Sequence, residues 1–169
     1  MAKLRVEDSS DIELDITVEN IPNPHKIYGE VKTILEDRIK MDDVNEENYE
    51  HTKGADKEEV KVELEATKSL DKFSKIVIEV TTETELKPVH KEDIEYVGKI
   101  EIEAEGKVVT EYPQESAIQK SILWDAFRSF YEKTLYGDIK DNYKDMRDKY
   151  MRTLRDEVKS FLDLLPQIR

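Results

Sequence analysis

The sequence contains no cysteine among its 169 residues, and this absence excludes several chemistries at once. Without thiols the chain can form no disulfide, thiolate zinc site, iron–sulfur cluster or cysteine nucleophile. Histidine is scarce too: His25, His51 and His90 lie far apart, and none has a second histidine four residues away on the same helix face. We therefore expect no metal site and no cofactor.

Glycine is also rare, and the five glycines form none of the common catalytic or phosphate-binding motifs. The sequence has no GxGxxG, no phosphate-binding loop and no GxSxG turn around a nucleophilic serine. Among 40 acidic residues, some carboxylates will lie close by chance, so carboxylate pairs identify no catalytic site. The sequence thus assigns no catalytic residue, and it favours a protein that is not an enzyme.

Long apolar runs are missing as well. No stretch approaches the roughly 20 residues needed to span a bilayer, and the N-terminus lacks an apolar signal core. We therefore expect a cytoplasmic protein without membrane association. Acidic residues outnumber basic ones by 40 to 27, which gives a net charge of −13. This charge repels nucleic-acid phosphates, so we expect no nucleic-acid partner, and the high charge content resembles that of thermophilic proteins.

Enough apolar residues are present to build a core. Leu, Ile, Val and Phe together account for 44 residues, well above the fraction at which charged chains stay disordered. We expect one domain over residues 1–169. Clean alternation of apolar and polar residues predicts strands at 12–18, 60–66, 76–86 and 94–102. Gly106 predicts a tight hairpin turn between 100–104 and 108–112.

Two regions show helical spacing instead. Asn23 and Pro24 form a typical helix start, followed by apolar residues at helical spacing up to Ile39. From Ser116 onward a second helix is predicted, and a third, about 27 residues long by its periodicity, runs from Asp138 to Leu165. The resulting prediction is an α+β, two-layer fold with a mainly antiparallel sheet. Helices pack on one face, the order is β-α-β-β-β-β-α-α, and the chain ends in a long helix pair.

Residues 42–59 carry the densest charge in the chain. The stretch 41–60 contains eight carboxylates and only two lysines. Its spacing fails the calcium-loop pattern, because starting at Asp43 the sixth position is Asn48 and the twelfth is Gly54. We interpret 42–59 as an acidic, flexible loop or linker. A cation site around His51 and neighbouring carboxylates is the alternative.

Aromatic residues concentrate in the two C-terminal helices, and core packing is the simplest explanation for them. Trp124, however, lies off the apolar stripe of its own helix, which suggests a second contact. We therefore expect ligand or partner contacts at Trp124, Phe127, Tyr131 and Tyr136.

Two functions agree with this arrangement. The first is a non-enzymatic interaction protein, an adaptor or complex subunit, that uses the C-terminal helices as its contact surface. Its partner would be a protein or a second copy of the chain rather than a small molecule. The alternative is a small-ligand-binding domain or small enzyme with an apolar pocket between the sheet and those helices.

Overall fold

The protein is an α+β structure built on a six-stranded antiparallel sheet. The computed structural model describes residues 3–91, 93–113, 126, 129–130 and 136–166. The strands are β1 (Lys3–Ser9), β2 (Leu14–Pro22), β3 (Asp43–Lys53), β4 (Glu58–Ser69), β5 (Ser74–Lys91) and β6 (Ile94–Pro113). The helices are α1 (Ile27–Thr33), flanked by a 3₁₀ turn (Pro24–Lys26) and a π-helical turn (Ile34–Arg38), and α2 (Gly137–Asp163).

The long strand β6 organises the sheet. Strands follow one another in the order β1-β6-β5-β4-β3, and β2 also pairs with β6. The C-terminal half of β6 pairs with β1, and its N-terminal half pairs with β2. Both short strands therefore lie along one side of β6, and β3 forms the opposite edge of the sheet.

The two faces of the sheet differ as the alternation predicts. On β6, Ile102 is fully buried, whereas its neighbour Glu101 lies on the opposite, outer face and is partly exposed. The buried apolar residues at inner positions of the three central strands are Val60, Val62, Leu64, Ala66, Ile76, Ile78, Val80, Leu86, Ile100, Ile102, Ala104 and Val108. These side chains form one hydrophobic cluster with apolar residues of α1, the π turn and α2.

The acidic segment contains regular structure where a loop was expected. Residues 43–53 form strand β3, which pairs with β4, and residues 58–59 already belong to β4. The expectation of a loop throughout 42–59 is therefore wrong, and only the short connection at 54–57 lies between strands. A polar edge strand needs no apolar alternation, because neither of its faces has to be deeply buried.

Gly106 does not form the expected hairpin turn. Strand β6 continues through it without a break, and no glycine in the described residues has a positive φ. The glycine is needed for space: a Cβ at this position would lie 2.7 Å from Cγ and 2.8 Å from Sδ of Met151 on α2. A glycine within a strand can mark a site where another part of the chain comes close to the strand backbone. At Gly106 that part is helix α2.

The order of elements along the chain also differs from the expectation, since two strands precede the first helix instead of one. The apolar residues predicted for that first helix are indeed buried, but Asn23 does not cap it with its side chain. The Asn23 side chain instead accepts hydrogen bonds from the backbone N–H groups of Glu95 and Tyr96. These bonds connect the start of the helix to the beginning of strand β6. The predicted helix from Ser116 lies largely outside the described residues.

Replacing Gly106 with Val is expected to destabilise the protein by about 1–3 kcal/mol, because overpacking displaces Met151 or moves α2 off the sheet. The measurement is the free energy of unfolding from urea denaturation. Glu105→Val is the matched control, since Glu105 points to the solvent on the same strand. Its effect should stay within about 0.5 kcal/mol. Equal losses in both variants would contradict the packing described for Gly106.

Candidate contact site at the start of helix α2

Of the four residues predicted to contact a ligand or partner, Tyr136 is the one that the structure describes. Trp124, Phe127 and Tyr131 lie outside the described residues. Tyr136 immediately precedes α2 and is half-buried. Its surroundings therefore define the candidate site.

Asp71, in the turn between β4 and β5, is the centre of this site. The hydroxyl groups of Tyr136 and Tyr143 both donate to Asp71 Oδ2, with a distance of 2.9 Å for Tyr143. The other carboxylate oxygen accepts the backbone N–H groups of Phe73 and Ser74, each at 2.7 Å. One carboxylate thus shapes the turn and fixes the start of α2 to it.

Burial and the hydrogen bonds to Asp71 shift the pKa of all three groups in the cluster. Burial would raise the pKa of Asp71, but hydrogen bonds from Tyr136 and from the backbone of Phe73 lower it below its usual value. Burial raises the pKa of Tyr136 and Tyr143, and the hydrogen bonds to Asp71 raise both further. The stable state is therefore one carboxylate with two neutral phenols.

Exposed apolar side chains lie around this hydrogen-bonded centre. Phe73 is 38% exposed, and its ring centroid lies 5.9 Å from that of Tyr112. The ammonium group of Lys72 lies 5.5 Å from the centre of the Phe73 ring. A cleft of about 350 Å³ runs beside Asp71, Phe73 and Ser74. On α2, Ile139 and Met146 are 39% and 37% exposed.

A buried arginine fixes α2 against strand β1. Arg147, 4% exposed, reaches Oδ1 of Asp8 at 2.6 Å and the backbone carbonyl of Asp8 at 2.8 Å. It also contacts Asp148, whose carboxylate accepts a hydrogen bond from Ser10 at 2.6 Å. Burial would raise the pKa of Asp8, but the hydrogen bonds and charges of Arg147 and Lys144 lower it. The network compensates the buried charge of Arg147.

The buried side of α2 agrees with the predicted stripe only in part: Leu154 and Val158 are buried as predicted. The helical periodicity of the sequence predicts a core stripe of Ile139, Tyr143, Met146, Tyr150, Leu154, Val158, Phe161 and Leu165. In the structure the buried residues are Arg147, Met151, Leu154, Val158 and Leu162, so the prediction is wrong for Ile139 and Met146, which are exposed. Periodicity missed Arg147 because a charged residue counts as solvent-facing unless its partners are known.

The histidines do not assemble a site among the described residues. His51 Nε2 lies 2.7 Å from Oε2 of Glu58 across the β3–β4 pair. His25 packs edge-on against Tyr96. The side chain of His90 is not described. In the parts of the chain that the structure covers, no three His, Asp or Glu side chains are placed to hold a metal ion.

None of the described helices is long and apolar enough to cross a membrane. No model of a known protein family matches the chain, and no curated protein matches its sequence. The geometry of the chain itself is therefore the basis for a functional proposal.

Replacing Arg147 with Met should lower the free energy of unfolding by about 1–3 kcal/mol at neutral pH, since Asp8 keeps only Lys144 and Asp148 keeps only Ser10 of the partners described above. Asp8 is 43% exposed, so water compensates part of this loss. The native pKa of Asp8 is depressed below 3.8, so the contribution is present above pH 3.8 and disappears as the pH falls further. Urea denaturation at neutral and acidic pH measures it. Lys159→Met, at an exposed position of the same helix, is the control. A pH-independent difference between wild type and Arg147→Met would contradict the assignment.

Replacing Asp71 with Asn should lower the pKa of Tyr136 and Tyr143, because neutral phenols would no longer be held by a carboxylate charge. Both phenols have a pKa above the ordinary 10.0. Their contribution to stability is therefore present below pH 10 and lost as the pH rises through the native values. Tyrosinate absorbance during alkaline titration reports the change. The control Asp141→Asn, on the exposed side of α2, should leave the titration curve unaltered; an equal shift in both variants would argue against the cluster.

Proposed function

We propose that this protein is a non-enzymatic interaction protein, an adaptor or complex subunit, and that the outward side of α2 is its contact surface. The α2 contact surface consists of Ile139 and Met146 on the helix and Phe73 in the adjoining turn. The partner is a second copy of the chain. Trp124, Phe127, Tyr131 and Tyr136 remain the ligand or partner contacts that the sequence predicts.

The proposal rests on a second apolar strip on α2, separate from its buried side. Ile139 and Met146 are seven residues apart, so they lie on nearly the same side of the helix, two turns from each other. Both are more than one-third exposed, while the core is already supplied by another side of α2. A helix with one buried and one exposed apolar strip is typical of a protein–protein contact.

Charge supports self-association through this helix. Residues 138–165 contain seven acidic and seven basic residues, so the net charge of −13 resides in the rest of the chain. Two copies that approach through α2 therefore avoid most of the mutual repulsion of their acidic surfaces. A symmetric contact of one α2 with another would also bring the same strip to both sides of the interface.

Core packing supports this proposal over the ligand-binding alternative. Leu35, Met151 and Leu154 are fully buried and belong to the same cluster as the inner face of the sheet. In the described part of the fold, side chains thus occupy the space between sheet and helices that a ligand would need.

Replacing Met146 with Glu should weaken self-association by at least about tenfold, because a charge would be buried in an apolar contact. Sedimentation equilibrium across a range of protein concentrations measures the dissociation constant. Ser160→Glu adds the same charge at an exposed position of the same helix and should have little effect. A wild-type protein that stays monomeric at all concentrations, or equal weakening by both variants, would refute the proposal.

A further inference from the structure

Strand β3 is an open edge of the sheet. It pairs with β4 from Asp43, opposite Thr67, to Lys53, opposite Glu58, and no described strand lies on its other side. Alternate residues of an antiparallel strand direct their N–H and C=O groups to the same side, so β3 presents a row of unpaired backbone donors and acceptors. Of its eleven side chains, only Val44 and Asn48 are partly buried.

The opposite edge of the sheet is less accessible. Two short strands share it, and β2 is interrupted by a register shift between Val18 and Ile21. On β1, the backbone carbonyl of Asp8 already accepts a hydrogen bond from Arg147 of α2. In contrast, β3 pairs without interruption from Asn48 to Lys53, beyond its one bulge at Glu47. Residues 48–53 are therefore the longest regular stretch of open edge on that strand.

The charge on β3 selects against pairing with itself. The strand carries Asp43, Glu46, Glu47 and Glu50, and Lys53 is its one basic residue apart from His51. Four carboxylates against one lysine give the strand a net charge of −3, so two copies of β3 placed edge to edge would repel each other. On the outer face, Glu50 borders a cleft of about 260 Å³. The other carboxylates of this cleft lie on β4, β5 and β6 and form ion pairs with lysines of the chain: Glu59 and Glu85 with Lys57, Glu83 with Lys61, and Glu101 with Lys99. A strand with basic side chains is the complementary partner.

The inner side of the same edge is aromatic. Tyr49 pairs with the buried Val62, which places its side chain towards the inner face, yet it remains 48% exposed. Its ring centroid lies 6.3 Å from that of Tyr28 on α1. Tyr28 is half-buried, so Tyr49 is the exposed ring of the pair. An exposed tyrosine ring next to an open strand can bind an apolar side chain or the aliphatic stem of a basic one.

We propose that residues 48–53 of β3 bind an extended basic segment of a partner protein by strand addition. The segment becomes a seventh strand of the sheet, and its backbone pairs with the open edge. Successive side chains of a strand point to opposite faces. Lys or Arg at every second position then lies beside Glu50 on the outer face, and the intervening apolar residues lie beside Tyr49 on the inner face. This site is separate from the α2 contact surface and does not depend on it.

A dye-labelled peptide of about ten residues, in which Lys alternates with Val, tests strand addition by fluorescence anisotropy. The double variant Glu47→Lys with Glu50→Lys should bind it at least about tenfold more weakly than wild type. The control Glu103→Lys with Glu105→Lys makes the same change in net charge on β6, away from this edge, and should bind nearly as wild type. Hydrogen exchange should show new protection, when the peptide is added, of those amides at 48–53 that point away from β4.

A second peptide separates strand pairing from simple charge attraction. It has the same sequence but carries N-methyl groups on alternate residues, which removes one edge of its backbone donors and keeps its charge. The proposal expects this peptide to bind at least about tenfold more weakly. Equal binding of the two peptides, or equal weakening by the β3 and β6 double variants, would overturn strand addition at β3. So would unchanged exchange at 48–53.

Discussion

The close approach of α2 to β6 at Gly106 is the constraint on which the described architecture depends. Met151 occupies the space that a side chain at Gly106 would need, so the helix can lie directly on the backbone of the longest strand. Strand β6 pairs with β1, β2 and β5. Fixing α2 to β6 therefore places the helix relative to both halves of the edge and to the sheet centre.

The contact at Gly106 also determines which residues of α2 are available to partners. With Met151 against the sheet, Arg147 lies one turn earlier on the same side and reaches Asp8 and Asp148. Because Arg147 occupies that inward position, Met146 and Ile139 are left on the outward side. The same helix orientation brings Tyr143 to Asp71. Core packing, charge compensation and the proposed contact surface are thus consequences of one helix position.

The outer face of the sheet is destabilised by repulsion between like charges. Glu65, Glu79 and Glu105 lie directly opposite one another on three neighbouring strands, and Asp15 lies opposite Glu103. Like charges in such pairs oppose sheet formation, and lysines relieve only some of them, as Lys107 does for Glu79 at 2.7 Å. Burial of the isoleucine and valine face must outweigh this repulsion. An acidic face maintained in this way is suited to basic protein segments.

The sequence by itself determined the two faces of the central strands, the apolar residues of α1 and the long helix α2, because alternation and helical spacing are local patterns. Its choice of Tyr136 as a contact residue stays a prediction. A turn-forming role of Asp71 could have been predicted, because an aspartate side chain commonly accepts a hydrogen bond from the backbone two residues on, here from Phe73. Only tertiary structure decided that Gly106 makes room for a helix, that Arg147 is buried and Met146 exposed, and that 43–53 is an edge strand. Each of these depends on a partner distant in the chain, and spacing within a segment carries no information about such partners.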